Sequence, residues 1–239
     1  MPCRMRMLWI AVVMAAGCGG GKKAPTAEQL HVQLAPIVEP KLQAIENLLK
    51  EPFPAATGSI KLDGPPLEMI REIGDHKIRG NALYAFEWDL RSLDRYRNIP
   101  LRRNFDGEYI NDCFQIVRKK GLAGGTSYPA NAKPWAGDEH IVGMKLPYCA
   151  ATRYLLVIKI DEYKATEYID KEKFGGGGAA AQVHVFDLDA GGKHLGGVPF
   201  GAQSSDVVTT HTIDSDLQAN FYSSLQNAVK EHLPDASFR

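Results

Sequence analysis

The closest approach to a catalytic cluster in this sequence is a set of polar residues at Ser204, Ser205, Asp206 and His211. Hydrolysis through a covalent intermediate needs a nucleophilic hydroxyl beside a base, and Ser and His can fill those two roles. The segment lacks the Gly-x-Ser-x-Gly turn that presents a serine nucleophile, and Ser and Asp after a strand are typical of turns. A hydrolase that uses Ser204 and His211 is therefore the alternative hypothesis, and we prefer the interpretation that the chain has no catalytic residue.

An acidic segment, Asp187-Leu-Asp189-Ala-Gly191, matches the start of a calcium-binding loop. The EF-hand pattern also requires an oxygen ligand at its fifth position and a bidentate Glu at its twelfth, where this chain has Gly191 and Val198. We therefore interpret the segment as the turn of a hairpin. The histidines, including His184, have no metal-ligand spacing on a predicted helix, so we predict no metal ion.

A glycine-rich run, Gly175-x-Gly177-x-x-Ala180, partly matches a dinucleotide-binding fingerprint. That mechanism needs a strand, a tight turn and then a helix whose N-terminus faces the phosphate, whereas a strand is predicted after this run. We predict no cofactor.

The beginning of the chain carries a signal of another kind. A basic segment at residues 1–6 precedes an apolar run at 7–16, which Gly17 and Cys18 follow. Ten apolar residues extend about 15 Å as a helix, roughly half of a ~30 Å hydrocarbon core. This length is typical of a secretory signal peptide rather than of a transmembrane helix.

The residues Ala15-Ala16-Gly17-Cys18 resemble the lipobox of bacterial lipoproteins, with Ala15 where Leu is more usual. The resemblance implies cleavage before Cys18, thioether linkage of that cysteine to diacylglycerol, and further acylation. Two or more acyl chains anchor a protein stably to a bilayer that it does not span. In the family's sorting rule an Asp after the lipidated cysteine retains the protein at the inner membrane, so Gly19 implies the outer membrane, facing the periplasm.

This signal divides the chain into a signal peptide at residues 1–17, a flexible tether at 18–25 and a single domain at 26–239. The tether after Cys18 reaches at most about 25 Å when fully extended. The pattern of residues 150–233 is similar to that of uncharacterised envelope lipoproteins with a small α+β periplasmic domain. That resemblance implies an envelope setting and no mechanism.

Two cysteines remain once Cys3 is removed with the signal peptide and Cys18 carries the lipid. Cysteines of exported proteins most often pair, so we predict a structural disulfide between Cys113 and Cys149, which contributes about 3–4 kcal/mol. Two buried thiols, or a catalytic cysteine, are the alternatives.

Apolar periodicity and capping signals predict three helices. Residues 26–49 begin with a capping box and contain two prolines, which indicate a kinked helix or two short ones. Residues 108–120 are predicted to form a helix that ends at Gly121, and residues 215–233 to form a helix capped by Ser215.

The segments between these helices are less periodic. Residues 67–74 and 82–90 are predicted to be helical, and residues 121–148, rich in Gly and Pro, to form an exposed loop.

Strands are predicted in the last third of the chain. Residues 153–160 form an apolar, branched run that predicts a buried strand, and residues 182–188 and 193–202 predict a hairpin. The Gly and Pro residues of the second arm indicate a bulge or a sheet edge. Helices, then an antiparallel sheet, then a covering helix are typical of the α+β class.

The composition bounds the possible partners. The chain is 44% hydrophobic and 23% charged, and loss of Arg4 and Arg6 with the signal peptide leaves a net charge of −2. Such a chain lacks the Lys/Arg stripe that nucleic-acid binding needs. We therefore expect a membrane-anchored, non-enzymatic lipoprotein that binds or scaffolds an envelope protein, with strand addition at the hairpin edge as one mode. A small-ligand-binding lipoprotein is a further alternative.

Overall fold

The structure, a computed structural model, describes residues 25–73, 77–91, 99, 101, 106–118, 139–168, 174–205 and 213–238. The predicted signal peptide, Cys18 and the tether up to residue 24 lie outside the described residues, as do Gly121 and positions 121–138 of the predicted loop. None of the described helices is both long and apolar enough to cross a membrane.

The described residues form helices and strands that alternate along the chain. The helices are α1 (Ala27–Leu48), α2 (Glu87–Arg91), α3 (Asp106–Arg118), α4 (Glu139–Ala151) and α5 (Ile213–His232). The strands are β1 (Ser59–Ile60), β2 (Arg71–Ile73), β3 (Lys77–Arg79), β4 (Ala82–Phe86), β5 (Tyr154–Lys164), β6 (Glu167–Tyr168), β7 (Phe174–Gly175), β8 (Gly178–Asp187) and β9 (Lys193–Gln203).

A mixed sheet of five strands, in the order β1-β9-β8-β5-β4, lies at the centre of the fold. The strands β5, β8, β9 and β1 pair in antiparallel fashion, whereas β4 pairs with β5 in parallel. The α+β class is therefore confirmed, and the parallel strand is an addition that the sequence pattern did not predict.

Helices cover both faces of this sheet. On one face, α5 contributes Leu217, Phe221, Leu225 and Val229 to a core that includes Val183 and Val185 of β8. On the other face, α1, α3 and α4 pack against alternate residues of β4 and β5 such as Leu83, Leu155 and Val157. Because successive strand residues point to opposite faces, the buried strands carry apolar residues at nearly every position.

The continuous apolar run explains why the helix prediction at residues 82–90 is wrong for β4. Residues 82–86 are a strand buried on both faces, and only residues 87–91 form a helix. Such a short apolar run has the same pattern in a strand and in a buried helix, so periodicity cannot distinguish the two. The helix prediction for 67–74 is also wrong where it can be compared, because β2 occupies residues 71–73.

The N-terminal helix α1 begins with the predicted capping box. Thr26 accepts a hydrogen bond from the backbone of Gln29, whose side chain bonds back to the Thr26 backbone. The chain continues as one helix through Pro36 and Pro40, both exposed, so of the two predicted alternatives the pair of short helices is wrong. Proline removes a backbone donor and leaves a carbonyl one turn earlier without its partner, and on an exposed face water can reach that carbonyl.

The helix α4 replaces part of the predicted loop. Residues 139–151 are helical although Pro147 lies among them, and Val142, Leu146 and Cys149 are buried at three- and four-residue steps. A disulfide joins Cys149 to Cys113 of α3, with 5.9 Å between the Cα atoms. The predicted pairing is confirmed, and it joins two helices.

The remaining predictions for helices and strands mostly agree with the structure. Helix α3, strand β5 and the β8–β9 hairpin occur where predicted, and Leu195 forms a bulge because Val185 pairs with Gly196 while Phe186 pairs with His194. Helix α5 starts at Ile213, so Ser215 lies inside the helix and the predicted cap at that residue is wrong.

Candidate functional site

A broad groove of about 1010 Å³ lies where the sheet meets the middle of α5. Its lining comes from residues 162–164 of β5, 176–180 at the start of β8, 201–204 at the end of β9, and from α5. We call this end of the three strands the groove end. The opposite end, where the β8–β9 turn lies, we call the hairpin end.

Small residues keep the groove open. Ala179 lies opposite Ala202 and Ala180 lies opposite Gly201, so these pairs place only small side chains on the two faces of the sheet. At Gly177 an added Cβ would lie 2.0 Å from the hydroxyl oxygen of Thr166, so only glycine fits. The glycine-rich run leads directly into β8, which pairs with β5 and β9, so a strand follows it, as the rejection of the dinucleotide motif required.

The predicted Ser204/His211 cluster is only partly described. The backbone and hydroxyl of Ser204 both donate to the carbonyl oxygen of Gly177, at 3.0 and 3.3 Å. The hydroxyl of Ser205 donates to Asp216 at 2.9 Å. Asp206 and His211 lie outside the described residues. In the described part, both serines are therefore bound to groups that fasten the end of β9 to its neighbours.

Among the residues that the structure describes, the edge of β9 beyond its pairing with β1 offers little to an added strand. Because the backbone of Ser204 bonds to Gly177, the alternation of antiparallel pairing directs Gly201 and Pro199 toward the outer edge. Pro199 has no N–H, and the carbonyl of Gln203 accepts a hydrogen bond from the Asn220 side chain. Proline at an outward position is a common means of blocking edge pairing.

The hairpin end holds the acidic segment that resembled a calcium loop. Asp187 is buried; its carboxylate accepts from Arg153 at 2.8 Å and from the backbone of Asp189 and Ala190. These bonds cap a short 3₁₀ turn at residues 188–190, so the segment is a hairpin turn as predicted. Among the residues that the structure describes, no group of three or more His, Cys, Asp or Glu could hold a metal ion.

Lys41 of α1 completes this cluster, and the sequence analysis did not single it out. Its ammonium donates to the carbonyls of Ala150 and Thr152 at 2.7 and 2.6 Å and pairs with Asp189 at 3.0 Å. Burial lowers the pKa of Lys41, and Asp189 opposes that shift. A signal was present, because Lys41 lies between Val38 and Leu42 on the buried face of the helix.

A histidine pair lies on β8 and β9 between the two ends. His184 is fully buried, its Nδ1 lies 3.3 Å from Nε2 of His194, and the ring of Phe53 covers it at 5.6 Å. Burial, with the nearby charge of His194, lowers the pKa of His184 to about 4. Burial also lowers the pKa of His194, against a hydrogen bond to the backbone of Gly196. His184 is therefore neutral at pH 7 and belongs to the packed interior, whereas His194 is only half-buried.

No protein-family model matches this chain, and a comparison with curated proteins finds no match. The function must be argued from the residues and their arrangement.

Proposed function

We propose that this chain is a lipid-anchored lipoprotein of the bacterial envelope that binds another envelope component without catalysing a reaction. The anchor rests on the basic start, the short apolar run and Cys18. The Cys113–Cys149 disulfide supports an exported protein, since such bonds persist in oxidising compartments. The outer membrane, facing the periplasm, follows from Gly19 in the family's sorting rule.

The groove is the observation that carries the binding role. Ligand sites are usually concave, and pockets of about 300–1,000 Å³ are typical for small molecules. This groove reaches the upper end of that range, and its lining comes from three strands and α5. The ionisable residues of the hairpin end, by contrast, are bonded to one another.

The anchor can be tested with two cysteine variants expressed in a Gram-negative host. We expect the wild-type chain in the membrane fraction, with a mass that shows cleavage before Cys18 and added lipid. The Cys18→Ser variant should leave that fraction, because the thiol is the attachment atom. The matched control is Cys3→Ser, which alters a cysteine within the predicted signal peptide and should change nothing. Wild-type protein without lipid at Cys18 would refute the anchor.

The binding role can be tested in cells by placing a photo-crosslinking residue on α5. Ser223 lines the groove, whereas Asn227, one helical turn away, is also exposed and is not among the lining residues. We expect a crosslinked envelope component from position 223 and none from position 227. Equal capture at both positions, or capture at neither, would contradict binding in the groove.

A hydrolase remains the second candidate because Ser204 lines the same groove. Its hydroxyl donates a hydrogen bond to the Gly177 carbonyl. Catalysis would require the hydroxyl to leave that carbonyl and donate to His211 instead. A broad screen for esterase, amidase and glycosidase activity tests this candidate. Activity that is lost in His211→Ala would favour the hydrolase over the binding protein.

A further inference from the structure

A connecting segment between α1 and β1 lies against the face of the sheet that α1 covers. We call residues 49–58 the strap. Arg91 of α2 holds its first part, because the guanidinium donates to the carbonyls of Leu49 and Glu51 at 2.5 and 2.7 Å. At the other end the backbone of Gly58 donates to the carbonyl of Gly197 in β9. The strap is therefore fastened at both of its ends.

The middle of the strap is held by a single ring. Among the described residues, residues 52–56 make no backbone hydrogen bond, and most of them are exposed. The ring of Phe53 lies 5.6 Å from the ring of His184 and 5.4 Å from that of Phe186, with Arg91 over it at 4.9 Å. Segments with few buried contacts and few backbone hydrogen bonds open most readily. Closure of this segment therefore depends on the contacts of Phe53.

The imidazole beneath Phe53 has no place for a second proton. His184 is fully buried, its Nδ1 faces His194 at 3.3 Å, and its Nε2 has no hydrogen-bond partner in the part of the chain that the structure describes. A neutral imidazole can leave Nε2 as a lone pair, whereas an imidazolium carries an N–H on each nitrogen. The added N–H would be a buried donor without an acceptor, which costs free energy. Protonation therefore favours a state in which water reaches the ring.

The charged groups on the sheet do not offset that cost. His194 of β9 and Lys159 of β5 disfavour a positive charge on His184, whereas Asp161 of β5 favours it. The carboxylate of Asp161 is already paired with Lys159 at 3.0 Å and accepts from the Gln182 amide at 2.7 Å.

The strap side offers no better compensation. Arg91 places a further positive charge over Phe53, and its own carboxylate partner is Glu87 at 2.8 Å. Glu51 of the strap is exposed, so solvent screens its carboxylate. Within the described residues, a proton on His184 is therefore best stabilised by solvent.

We infer that the strap is an acid-operated cover, in which protonation of His184 displaces Phe53 and opens residues 52–57 while the sheet stays folded. Opening exposes the rings of His184 and Phe186 to solvent. The inference does not depend on the proposed function, because Phe53 packs against the core on the α1 side whereas the groove lies along α5.

The size of the response follows from proton binding in the two states. The pKa of His184 is about 4 under the closed strap and approaches its ordinary value of about 6.5 once water reaches the ring. Because the open state binds the proton more readily, the closed strap is favoured above pH 6.5 and opening increases below it. The ratio of open to closed strap should rise by up to about 20-fold between pH 7 and pH 5.

The test is fluorine NMR of the purified full chain with 4-fluorophenylalanine in place of Phe53. The difference in its chemical shift between H₂O and D₂O measures how exposed the ring is to solvent. We expect that difference to increase from pH 7 to pH 5. The same label in place of Phe221, which is buried in α5, should show no increase, because the sheet and its covering helix stay folded.

Two histidine variants identify the group that titrates. His184→Phe keeps a ring beneath Phe53 but binds no proton, so the label at position 53 should lose its pH response. The matched control is His31→Gln, which alters a histidine that contacts Val117 of α3 and should leave the response intact. No response in the wild type, or a response that persists in His184→Phe, would overturn the inference. Equal responses at positions 53 and 221 would also overturn it, because acid would then unfold the whole protein.

Arg91 provides a second readout that does not alter His184. Arg91→Met keeps an apolar side chain but removes the two bonds to the strap carbonyls. The closed state loses those contacts, so the label at position 53 should become exposed at a higher pH than in the wild type. The label at position 221 shows whether the variant is folded. The same midpoint of the pH response in both proteins would contradict a strap that Arg91 holds closed.

Discussion

The two ends of the central strands differ in how they use polar residues. At the hairpin end Arg153 pairs with Asp187, Lys41 with Asp189, and Lys193 with Asp63. At the groove end the same strands carry glycine, alanine and serine, and no ion pair joins two lining residues in the described part of the chain. The charged residues, which most resemble a reactive site, therefore stabilise a turn. The small residues form the open surface.

This contrast shows why a charged cluster is a poor guide to function here. A buried ion must be paired or hydrogen-bonded, and each group of the hairpin end meets that requirement within the protein. A group already bonded in this way has little capacity left for a ligand. Disruption should therefore cost stability at the hairpin end and binding at the groove end.

The largest effect is expected from the disulfide, which supports the helical layer beside the hairpin end. Cys149 directly precedes Ala150, whose carbonyl accepts from Lys41. Replacing both cysteines by Ala should lower the free energy of unfolding by about 4 kcal/mol, because the bond closes a segment with a sequence separation of 36. Urea unfolding of the oxidised wild type and the double variant measures the difference. An unchanged midpoint would show that the disulfide does not stabilise this layer.

The next effect concerns Asp187. Its replacement by Ala removes the cap of the 3₁₀ turn and leaves Arg153 without its carboxylate partner. We expect a loss of about 3 kcal/mol in unfolding free energy, since the buried carboxylate that caps the turn is removed and the partly buried Arg153 loses its partner. Asp187→Asn should lose less, because its amide oxygen can still cap the turn.

The matched control at the same end is Asp63→Ala. Asp63 also pairs with a lysine of the hairpin end, but both partners are exposed to solvent, so little stability depends on them. Equal losses in the Asp63 and Asp187 variants would contradict the importance of burial at this end.

A smaller effect is expected from acid, through the histidine pair between the two ends. The pKa of His184 is about 4 in the folded protein and about 6.5 in an unfolded chain. Because the unfolded chain binds the proton more readily, stability is fully present above pH 6.5 and falls as the pH drops toward 4. At pH 5 the loss from His184 is about 2 kcal/mol.

The measurement is urea unfolding at pH 7 and pH 5 for the wild type and for His184→Phe, which keeps a ring against Phe53. The variant should lose less stability than the wild type between these two pH values. An identical pH dependence would assign the acid sensitivity to other groups. The lowered pKa of His194, which the variant retains, accounts for a residual slope.

The sequence predicted those parts of the fold whose signals are local. The capping box at Thr26, the turn at Asp187 and the apolar face of α5 each lie within one element, and each is present. The disulfide followed from counting cysteines in an exported chain. Strand β4 and helix α4 were missed, because a short buried run has no period and Pro147 indicated a loop.

The groove was beyond such reasoning for a different physical reason. Its lining residues lie in four segments between residues 162 and 224, and they are mostly small and neutral. No motif marks a surface whose defining property is the lack of large side chains. Ser204 was singled out as a nucleophile, and it does line this surface, but its hydroxyl is bonded to a neighbouring strand.

The smallest effect on stability is expected at the groove end. It tests directly whether this end contributes to binding rather than to stability. Ser223 is exposed on α5, so Ser223→Ala removes a hydroxyl that no buried group depends on. Alanine also has the higher helix propensity, so the unfolding free energy should change by no more than about 0.5 kcal/mol. If Ser223 contacts a ligand, the same variant should weaken binding several-fold, because a polar group of the ligand would lose its partner. A large loss of stability in Ser223→Ala would mean that the groove end is also built for support, and the distinction between the two ends would fail.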